Sequence, residues 1–175
     1  VDVGDNSIEL HQTNSDKFKV TLVNTGLGTN TAGRLKKIKK HIDGTFMLTY
    51  GDGVSDIDIP KLIAFHKAKK KKVTLTAVKD RSRYGELSID DSGFVKKFEE
   101  KPEGYEKYIN GGFFIMEPDV FDYLETDVED VQWEKGPLEA IAKDSQLAAY
   151  KHYGFWKCMD ALRDRVDLEE MWNTG

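Results

Sequence analysis

Hydrophobic and polar positions follow two different periods along the chain, and each period predicts one type of element. Short runs rich in β-branched and aromatic residues predict strands. These runs are Ser7–His11, Phe18–Val23, Thr45–Tyr50, Val73–Val78, Ile109–Met116 and Leu147–Lys151. Between two of them, apolar residues recur at helical spacing from Ile59 onward, behind a capping Asp58 and a first-turn Pro60. This strand, helix and strand order predicts a βαβ unit with parallel strands.

The pattern changes from Tyr84 onward. Tyr84–Ile89 and Phe94–Phe98 flank a turn at Asp90–Gly93, and their alternating polarity predicts an antiparallel hairpin. Further helices are predicted at Leu35–His41, Pro118–Leu124, Gly136–Lys143 and Leu162–Trp172. Strands that alternate with helices, together with one hairpin, predict an α/β fold with a mixed sheet.

Length and composition indicate a single domain over residues 1–175, because no repeat, low-complexity tract or Pro/Ser-rich linker divides the sequence. The 26 Lys and Arg against 31 Asp and Glu give a net charge of −5, which disfavours nucleic acid as a partner, since phosphate-backbone binding needs a clustered positive surplus. A hydrophobic content of 39% is too high for a disordered chain. No apolar run reaches the roughly 18 residues of a membrane span.

Cysteine and histidine usage narrows the expected chemistry. Cys158 is the single cysteine of the sequence, so an internal disulfide is excluded. No charged-then-apolar signal opens the sequence, and we therefore expect a reducing, cytoplasmic compartment. The histidines show no metal-ligand spacing, and each is interpreted as structural or exposed.

Asp52 is the first candidate functional residue, in the sequence Tyr50-Gly51-Asp52-Gly53. It follows an apolar strand and precedes a helix, which places it at the carboxyl end of a sheet strand, where ligands bind in open α/β sheets. The flanking glycines let phosphates approach the backbone, and the carboxylate offers a hard oxygen to Mg²⁺. An ordinary Asp-Gly turn is the alternative interpretation.

Asp160 is a second candidate carboxylate, after the extended run Phe155-Trp156-Lys157-Cys158-Met159. It also stands directly before the last predicted helix, where Asp is a favoured N-cap. The two aspartates together carry more weight than either alone, because a shared divalent ion offsets the repulsion between two nearby carboxylates.

A hydroxyl-rich loop, Thr25–Arg34, contains three glycines and leads toward the basic predicted helix. Backbone N–H groups near a helix N-terminus suit anion binding, and Arg34 adds a rigid donor fork. The alternative is a surface loop whose Arg34 covers apolar surface.

Two further segments have unusual composition. In the first, Lys101 precedes Pro102 and could neutralise a sugar phosphate while Glu100 accepts from sugar hydroxyls, although a charged turn explains the same residues. In the second, Asn110-Gly111-Gly112 interrupts an apolar strand, which indicates a bulge or the close approach of a ligand.

Taken in order, these motifs resemble those of the sugar-phosphate nucleotidylyltransferases. The likeness runs from Ser7 to Trp172 and is carried by six segments. They are Gly26–Arg34, Thr49–Gly53, Tyr84–Leu87, Glu100–Pro102, Ile109–Phe113 and Phe155–Asp164. The resemblance implies a Rossmann-like, mostly parallel sheet flanked by helices. It also implies a reaction in which the phosphate of α-D-glucose 1-phosphate attacks the α-phosphorus of CTP, giving CDP-glucose and diphosphate.

The resemblance further implies a role for each candidate residue. Asp52 and Asp160 would hold Mg²⁺ against the nucleotide phosphates, with Gly51 approaching the nucleotide through its backbone. Thr29 and Arg34 would face the CTP side.

On the sugar side, the resemblance implies that Lys101 pairs with the sugar phosphate and that Glu100 and Asn110 bind sugar hydroxyls. Gly85 and Gly111 would leave room for the sugar ring. Relatives commonly assemble through sheet-edge and C-terminal segments, so a homo-oligomer is expected. The product would supply deoxysugar and surface-polysaccharide (O-antigen) synthesis.

One departure from the family pattern matters. The family opens with a strand and a loop of the type Gly-Gly-x-Gly-Thr-Arg-Leu that cradles the triphosphate, and nothing similar precedes the first predicted strand. We therefore expect that the chain lacks two strands, this loop and part of the base pocket. Either the protein is longer, or the chain is a fragment with an incomplete site. Two alternatives to an active nucleotidylyltransferase stay open: a non-catalytic fragment that binds a sugar phosphate or nucleotide sugar, and a glycosyltransferase of similar fold.

Overall fold

The computed structural model describes residues 19–79, 86–89, 92, 94–99, 107–124 and 127–175. Its helices are α1 Thr31–Lys37, α2 Ile59–Lys69, α3 Pro137–Lys143 and α4 Leu162–Thr174, with 3-10 helices at Lys39–His41 and Pro118–Leu124. Its strands are β1 Phe46–Thr49, β2 Gly53–Ser55, β3 Val73–Lys79, β4 Glu86–Ile89, β5 Val95–Glu99, β6 Tyr108–Met116, β7 Leu147–His152 and β8 Trp156–Cys158.

The main sheet has four strands in the order β1-β6-β3-β7. β6 runs antiparallel to both of its neighbours, and β3 pairs in parallel with β7. Three strands, β1, β3 and β7, therefore run in one direction, which confirms the predicted mixed, mostly parallel sheet. The two strands of the predicted βαβ unit are parallel as expected, but β6 lies between them.

Helices cover both faces of this sheet because β6 alternates its apolar side chains. Phe114 and Met116 belong to the larger core cluster, together with Leu35 of α1 and Ile141 of α3. Ile115 points to the other face and packs with residues of α2. Burial of large apolar side chains on each face typically contributes about 1.5–3 kcal/mol per residue. The period-2 pattern of this one strand thus accounts for both helical layers.

The start of α2 agrees with the sequence prediction. The Asp58 carboxylate accepts a hydrogen bond from the backbone N–H of Lys61 at 3.0 Å, and Pro60 occupies the first turn. Hydrogen bonding to Lys61 lowers the pKa of Asp58. The helix ends at Lys69, and the left-handed φ of 52° at the next residue, Lys70, breaks the helical geometry.

Two predicted elements differ from the structure. The strand expected at Phe18–Val23 is wrong over its described part: residues 19–23 pair with no described strand, and Val20 and Leu22 are exposed. The first helix begins at Thr31 rather than Leu35, because the Asn30 side chain accepts from the Thr31 N–H at 2.8 Å and caps it there. The strand predicted at Ser7–His11 lies outside the described residues.

The later helical predictions are confirmed with one change of type. The Pro118–Leu124 segment is a 3-10 helix, and α3 and α4 occupy the two remaining predicted positions. The hairpin is confirmed as well, since β4 and β5 pair antiparallel. None of the helices in the described part of the chain is long and apolar enough to cross a membrane.

Candidate active site

A two-stranded ladder brings the two candidate aspartates to the same place. β2 and β8 pair antiparallel, with Gly53 opposite Cys158. Beyond this pair, the backbone N–H of Met159 donates to the carbonyl of Asp52 at 2.9 Å. Asp52 directly precedes β2, and Asp160 lies just beyond the end of β8. Both aspartates therefore lie at the same end of the ladder, and both are exposed.

Asp160 is not the N-cap of α4. Ala161 occupies the cap position, and its N–H donates to the Asp164 carboxylate at 2.9 Å. The Cys158 thiol donates to Asp160 at 3.0 Å. This hydrogen bond, together with partial burial, raises the pKa of the thiol. The capping alternative for Asp160 is therefore wrong, and its carboxylate remains accessible to a ligand.

The donor set at this ladder end fits Mg²⁺ bound together with a phosphate ligand. Mg²⁺ usually takes one or two carboxylates and keeps its other positions for water and substrate phosphates. Within the described ranges there is no cluster of three or more His, Cys, Asp or Glu side chains that could enclose a metal. Two accessible aspartates at one ladder end match the protein's usual contribution to such a shared metal site.

Tyr50, directly before this segment, carries a polar network on its hydroxyl. The hydroxyl donates to the Glu134 carboxylate. Burial, and then the bond to Glu134, raise the pKa of Tyr50 far above its ordinary value. The phenol therefore stays protonated and acts as a donor to Glu134 at any physiological pH.

The predicted interruption at Asn110-Gly111-Gly112 is a bulge in β6. On β3, Leu75 pairs with Phe114, whereas Ala77 pairs with Asn110, so β6 contains extra residues between the two pairs. Gly112 has a φ of +77°, and a Cβ there would lie 3.0 Å from the Tyr50 ring. The Asn110 side-chain oxygen accepts from the Gly112 N–H at 2.9 Å. The bulge thus turns Asn110 toward the Tyr50 segment.

Gly111 is buried inside the same bulge. A Cβ at this position would lie 3.0 Å from both the Thr76 carbonyl and the Val78 side chain. The Gly111 carbonyl accepts from the Trp156 indole N–H at 2.8 Å. Packing between strands explains the glycine at this position, and the predicted space for a sugar ring stays a prediction.

The Thr25–Arg34 loop is held by its own polar side chains. The Arg34 guanidinium donates to the Thr25 hydroxyl at 2.6 Å and to the Leu27 carbonyl at 3.4 Å. The Thr29 side chain is buried, donates to the Thr25 carbonyl at 2.6 Å and accepts from Lys37 at 2.9 Å. Arg34 is exposed and keeps unused donors, whereas the hydroxyl of Thr29 is engaged within the loop.

Two cavities flank these residues. The first, of about 500 Å³, lies between α1 and β1 and is mostly apolar, with Arg34 and Tyr50 in its lining. The second, of about 620 Å³, is lined by Trp156, Lys157 and Cys158 of β8 and by residues at the ends of β3 and β7. The first cavity connects the loop residue Arg34 with the segment that leads to Asp52. The predicted sugar-side residues Gly85, Glu100 and Lys101 lie outside the described residues.

Comparison with known proteins identifies the family. A sequence model described as nucleotidyl transferase matches residues 5–160. The chain belongs to the nucleotidyl transferase family. It is 45% identical over 175 residues to a glucose-1-phosphate cytidylyltransferase of Salmonella typhi, covering 99% of this chain and 67% of that protein. It is 42% identical to a Bacillus subtilis protein described as a probable glucose-1-phosphate cytidylyltransferase, covering 91% of this chain and 62% of that protein.

A solved structure agrees with this nucleotidyl transferase fold. HddC from Yersinia pseudotuberculosis superimposes with a TM-score of 0.58 at 22% identity, covering 82% of this chain and 63% of the HddC chain. Identity at this level shows the fold alone. The chain spans about two thirds of the length of the curated relatives that it matches.

Sequence reasoning missed Glu134 and assigned no role to the Tyr50 side chain. The two residues are 84 positions apart, so no local pattern connects them. The one sequence signal is the pair Trp133-Glu134, in which a charged residue directly follows a tryptophan. In this nucleotidyl transferase, the half-buried Glu134 carboxylate accepts from the hydroxyl of Tyr50, two positions before Asp52.

Proposed function

We propose that this chain carries the larger part of a glucose-1-phosphate cytidylyltransferase. In the proposed reaction, a phosphate oxygen of α-D-glucose 1-phosphate attacks the α-phosphorus of CTP. The new P–O bond forms as the bond to the β-phosphate breaks, so CDP-glucose and diphosphate result. The identity of 45% with the Salmonella typhi cytidylyltransferase supports this choice of substrates, and family membership favours nucleotidyl transfer over glycosyl transfer.

The observation that carries the proposal is the hydrogen bond from Met159 N–H to the Asp52 carbonyl, which brings Asp52 and Asp160 to one ladder end. In our proposal these two carboxylates hold Mg²⁺. When bound, the ion neutralises charge on the nucleotide phosphates. The ladder fixes the backbone at both aspartates before substrate arrives, so bringing the two residues together costs little during the reaction.

The remaining candidate residues divide between the two substrates. We assign Gly51, Thr29 and Arg34 to the CTP side, because Arg34 and the Tyr50 segment line one cavity of about 500 Å³. We assign Asn110 and Gly111 to the sugar side, together with Gly85, Glu100 and Lys101. Lys101 would offset the charge of the sugar phosphate. Transfer by this route needs positioning and charge neutralisation but no protein nucleophile.

The test is diphosphate release by the full-length protein from CTP and glucose 1-phosphate with Mg²⁺. We expect Asp52→Asn and Asp160→Asn each to lower turnover by about 100-fold or more, since each removes a charge aimed at the reacting phosphates. Asp122→Asn is the matched control, because Asp122 is an exposed carboxylate on the 3-10 helix Pro118–Leu124. Thermal unfolding of all three variants checks that the fold persists.

Near-normal turnover in both site variants would contradict the metal assignment. Binding of CDP-glucose without diphosphate release would support the alternative, a non-catalytic binding fragment. Parallel assays with UTP, GTP and dTTP decide the base, and mannose 1-phosphate in place of glucose 1-phosphate decides the sugar. A chelator titrated back with Mg²⁺ tests the ion.

Compartment and assembly belong to the same proposal. A single cysteine in the sequence, Cys158, fits a reducing cytoplasm. We also propose a homo-oligomer. Light scattering of the purified full-length protein measures the assembly directly.

A further inference from the structure

We propose that Tyr50 and Glu134 are positioning residues that orient the Asn110 amide for the sugar phosphate. The inference rests on the proposed function, since it concerns the sugar side of the same site. It assigns a role to Glu134, which stands outside every motif that the sequence suggests. Its basis is a chain of hydrogen bonds from the β6 bulge to the loop before α3.

The first step fixes one end of the Asn110 side chain. Its oxygen accepts the Gly112 N–H at 2.9 Å, a geometry that the φ of +77° at Gly112 makes possible. An amide whose oxygen is held by the backbone cannot flip without losing that bond. The two N–H donors of Asn110 must therefore point away from Gly112.

The second step fixes the Tyr50 ring. The edge of the ring lies 3.0 Å from the position that a Cβ at Gly112 would occupy. The ring also packs against Phe114, with the ring centroids 5.8 Å apart and the ring planes at 65°. Gly112 also accepts the Tyr50 N–H at 3.3 Å through its carbonyl. Ring and backbone of Tyr50 are thus held by the same bulge that holds Asn110.

The third step assigns the protons. The Glu134 carboxylate can only accept, so the Tyr50 hydroxyl donates its proton to Glu134. With its hydroxyl bonded to Glu134, the Tyr50 ring stays against Gly112, and the Gly112 N–H holds the Asn110 side-chain oxygen at 2.9 Å. The N–H donors of Asn110 are thereby presented in one orientation to an oxygen of the substrate.

Glu134 is itself held in place by its neighbour. Trp133 is 1% exposed and packs edge-on against Phe114 with centroids 6.4 Å apart. The backbone N–H of Trp133 also donates to the Thr31 hydroxyl at 2.7 Å. A rigid anchor directly before Glu134 lets its carboxylate fix Tyr50 from outside the sheet, which a mobile surface glutamate could not do.

The experiment compares steady-state constants of the full-length protein and its Tyr50→Phe and Glu134→Gln variants. We expect the KM for glucose 1-phosphate to rise about tenfold in each, the effect of losing roughly one oriented hydrogen bond, with the KM for CTP changed by less than about twofold. The double variant should behave like Tyr50→Phe alone, because both changes break one chain. In an Asn110→Ala background, Tyr50→Phe should not raise the KM for glucose 1-phosphate any further.

Tyr123→Phe is the matched control. The Tyr123 hydroxyl donates to the Asp144 carboxylate at 2.8 Å, so the same substitution removes a Tyr–carboxylate bond from a 3-10 helix that carries none of the candidate residues. We expect unchanged KM values for both substrates. Equal rises of both KM values in Tyr50→Phe, or no rise, would overturn the inference. An inactive wild-type protein would overturn the proposed function and this inference with it, whereas an active wild type with unselective variants overturns the inference alone.

Discussion

Gly112 and Gly44 have the same left-handed backbone conformation, but only Gly112 is in close contact with a side chain. Their φ angles are +77° and +83°, a region that side chains with a Cβ rarely adopt. A Cβ at Gly44 would meet nothing within 4 Å, whereas one at Gly112 would lie 3.0 Å from the Tyr50 ring. At the residue scale, this pair separates the cost of backbone strain from the cost of crowding at the site.

We predict that Gly44→Ala lowers the free energy of unfolding by about 1 kcal/mol, the cost of a left-handed alanine. Gly112→Ala should cost about 1 kcal/mol more, because the aromatic ring must also move. Urea denaturation measures both changes. Equal losses in the two variants would mean that the ring accommodates a methyl group freely, and the Tyr50 contact would then not constrain the bulge.

At the element scale, His66 attaches α2 to the sheet. The residue is 2% exposed, and its ring bonds to the Thr74 hydroxyl at 2.8 Å and to the Glu117 carboxylate at 3.0 Å. The carboxylate accepts from Nε2, so in the neutral ring Nδ1 accepts from Thr74. This buried histidine therefore joins α2 to β3 and to the residue after β6, which agrees with its predicted structural role.

We predict that His66→Leu lowers the free energy of unfolding by about 2 kcal/mol, because it leaves the fully buried Thr74 hydroxyl without a partner. A double variant with Thr74→Val should recover part of the loss, since both polar groups are then removed together. His41→Leu, at an exposed position, serves as the control. Strict additivity in the double-mutant cycle would contradict the assigned bond.

At the scale of the whole molecule, Trp156 joins the two sheets that carry the proposed site. Its indole N–H donates from β8 to the Gly111 carbonyl in the β6 bulge at 2.8 Å. The small sheet carries both aspartates at one ladder end, and the main sheet carries Asn110. The relative placement of the metal side and the sugar side of the proposed site therefore depends on this contact.

We predict that Trp156→Phe lowers the free energy of unfolding by about 1–2 kcal/mol, because the buried Gly111 carbonyl loses its donor. The same change should speed hydrogen exchange at the Met159 amide, which bonds to Asp52 across the ladder. Trp172 on α4 is 88% exposed, and Trp172→Phe is therefore the control for the loss of an indole group. Unchanged exchange at Met159 would show that the small sheet holds the aspartates without this contact.

Local chemistry explains which elements could be predicted. The Asp58 cap and the strand at Ile109–Met116 depend on residues a few positions apart, and both predictions are confirmed. The run at Phe18–Val23 has equal strand character but finds no partner among the described strands, so propensity was not sufficient there. Asn30 was overlooked as a cap because the loop before α1 contains several residues able to cap a helix.

The sequence by itself determined the α/β class, most of the elements and the choice of Asp52 and Asp160, because periodicity, caps and turn residues act over short distances along the chain. The tertiary structure decided that β6 lies between β1 and β3, that the two aspartates share a ladder end, and that Glu134 reaches Tyr50 across 84 positions. Strand order and such distant contacts depend on which surfaces bury best together in three dimensions, and that information is spread over the whole chain rather than held in any one segment.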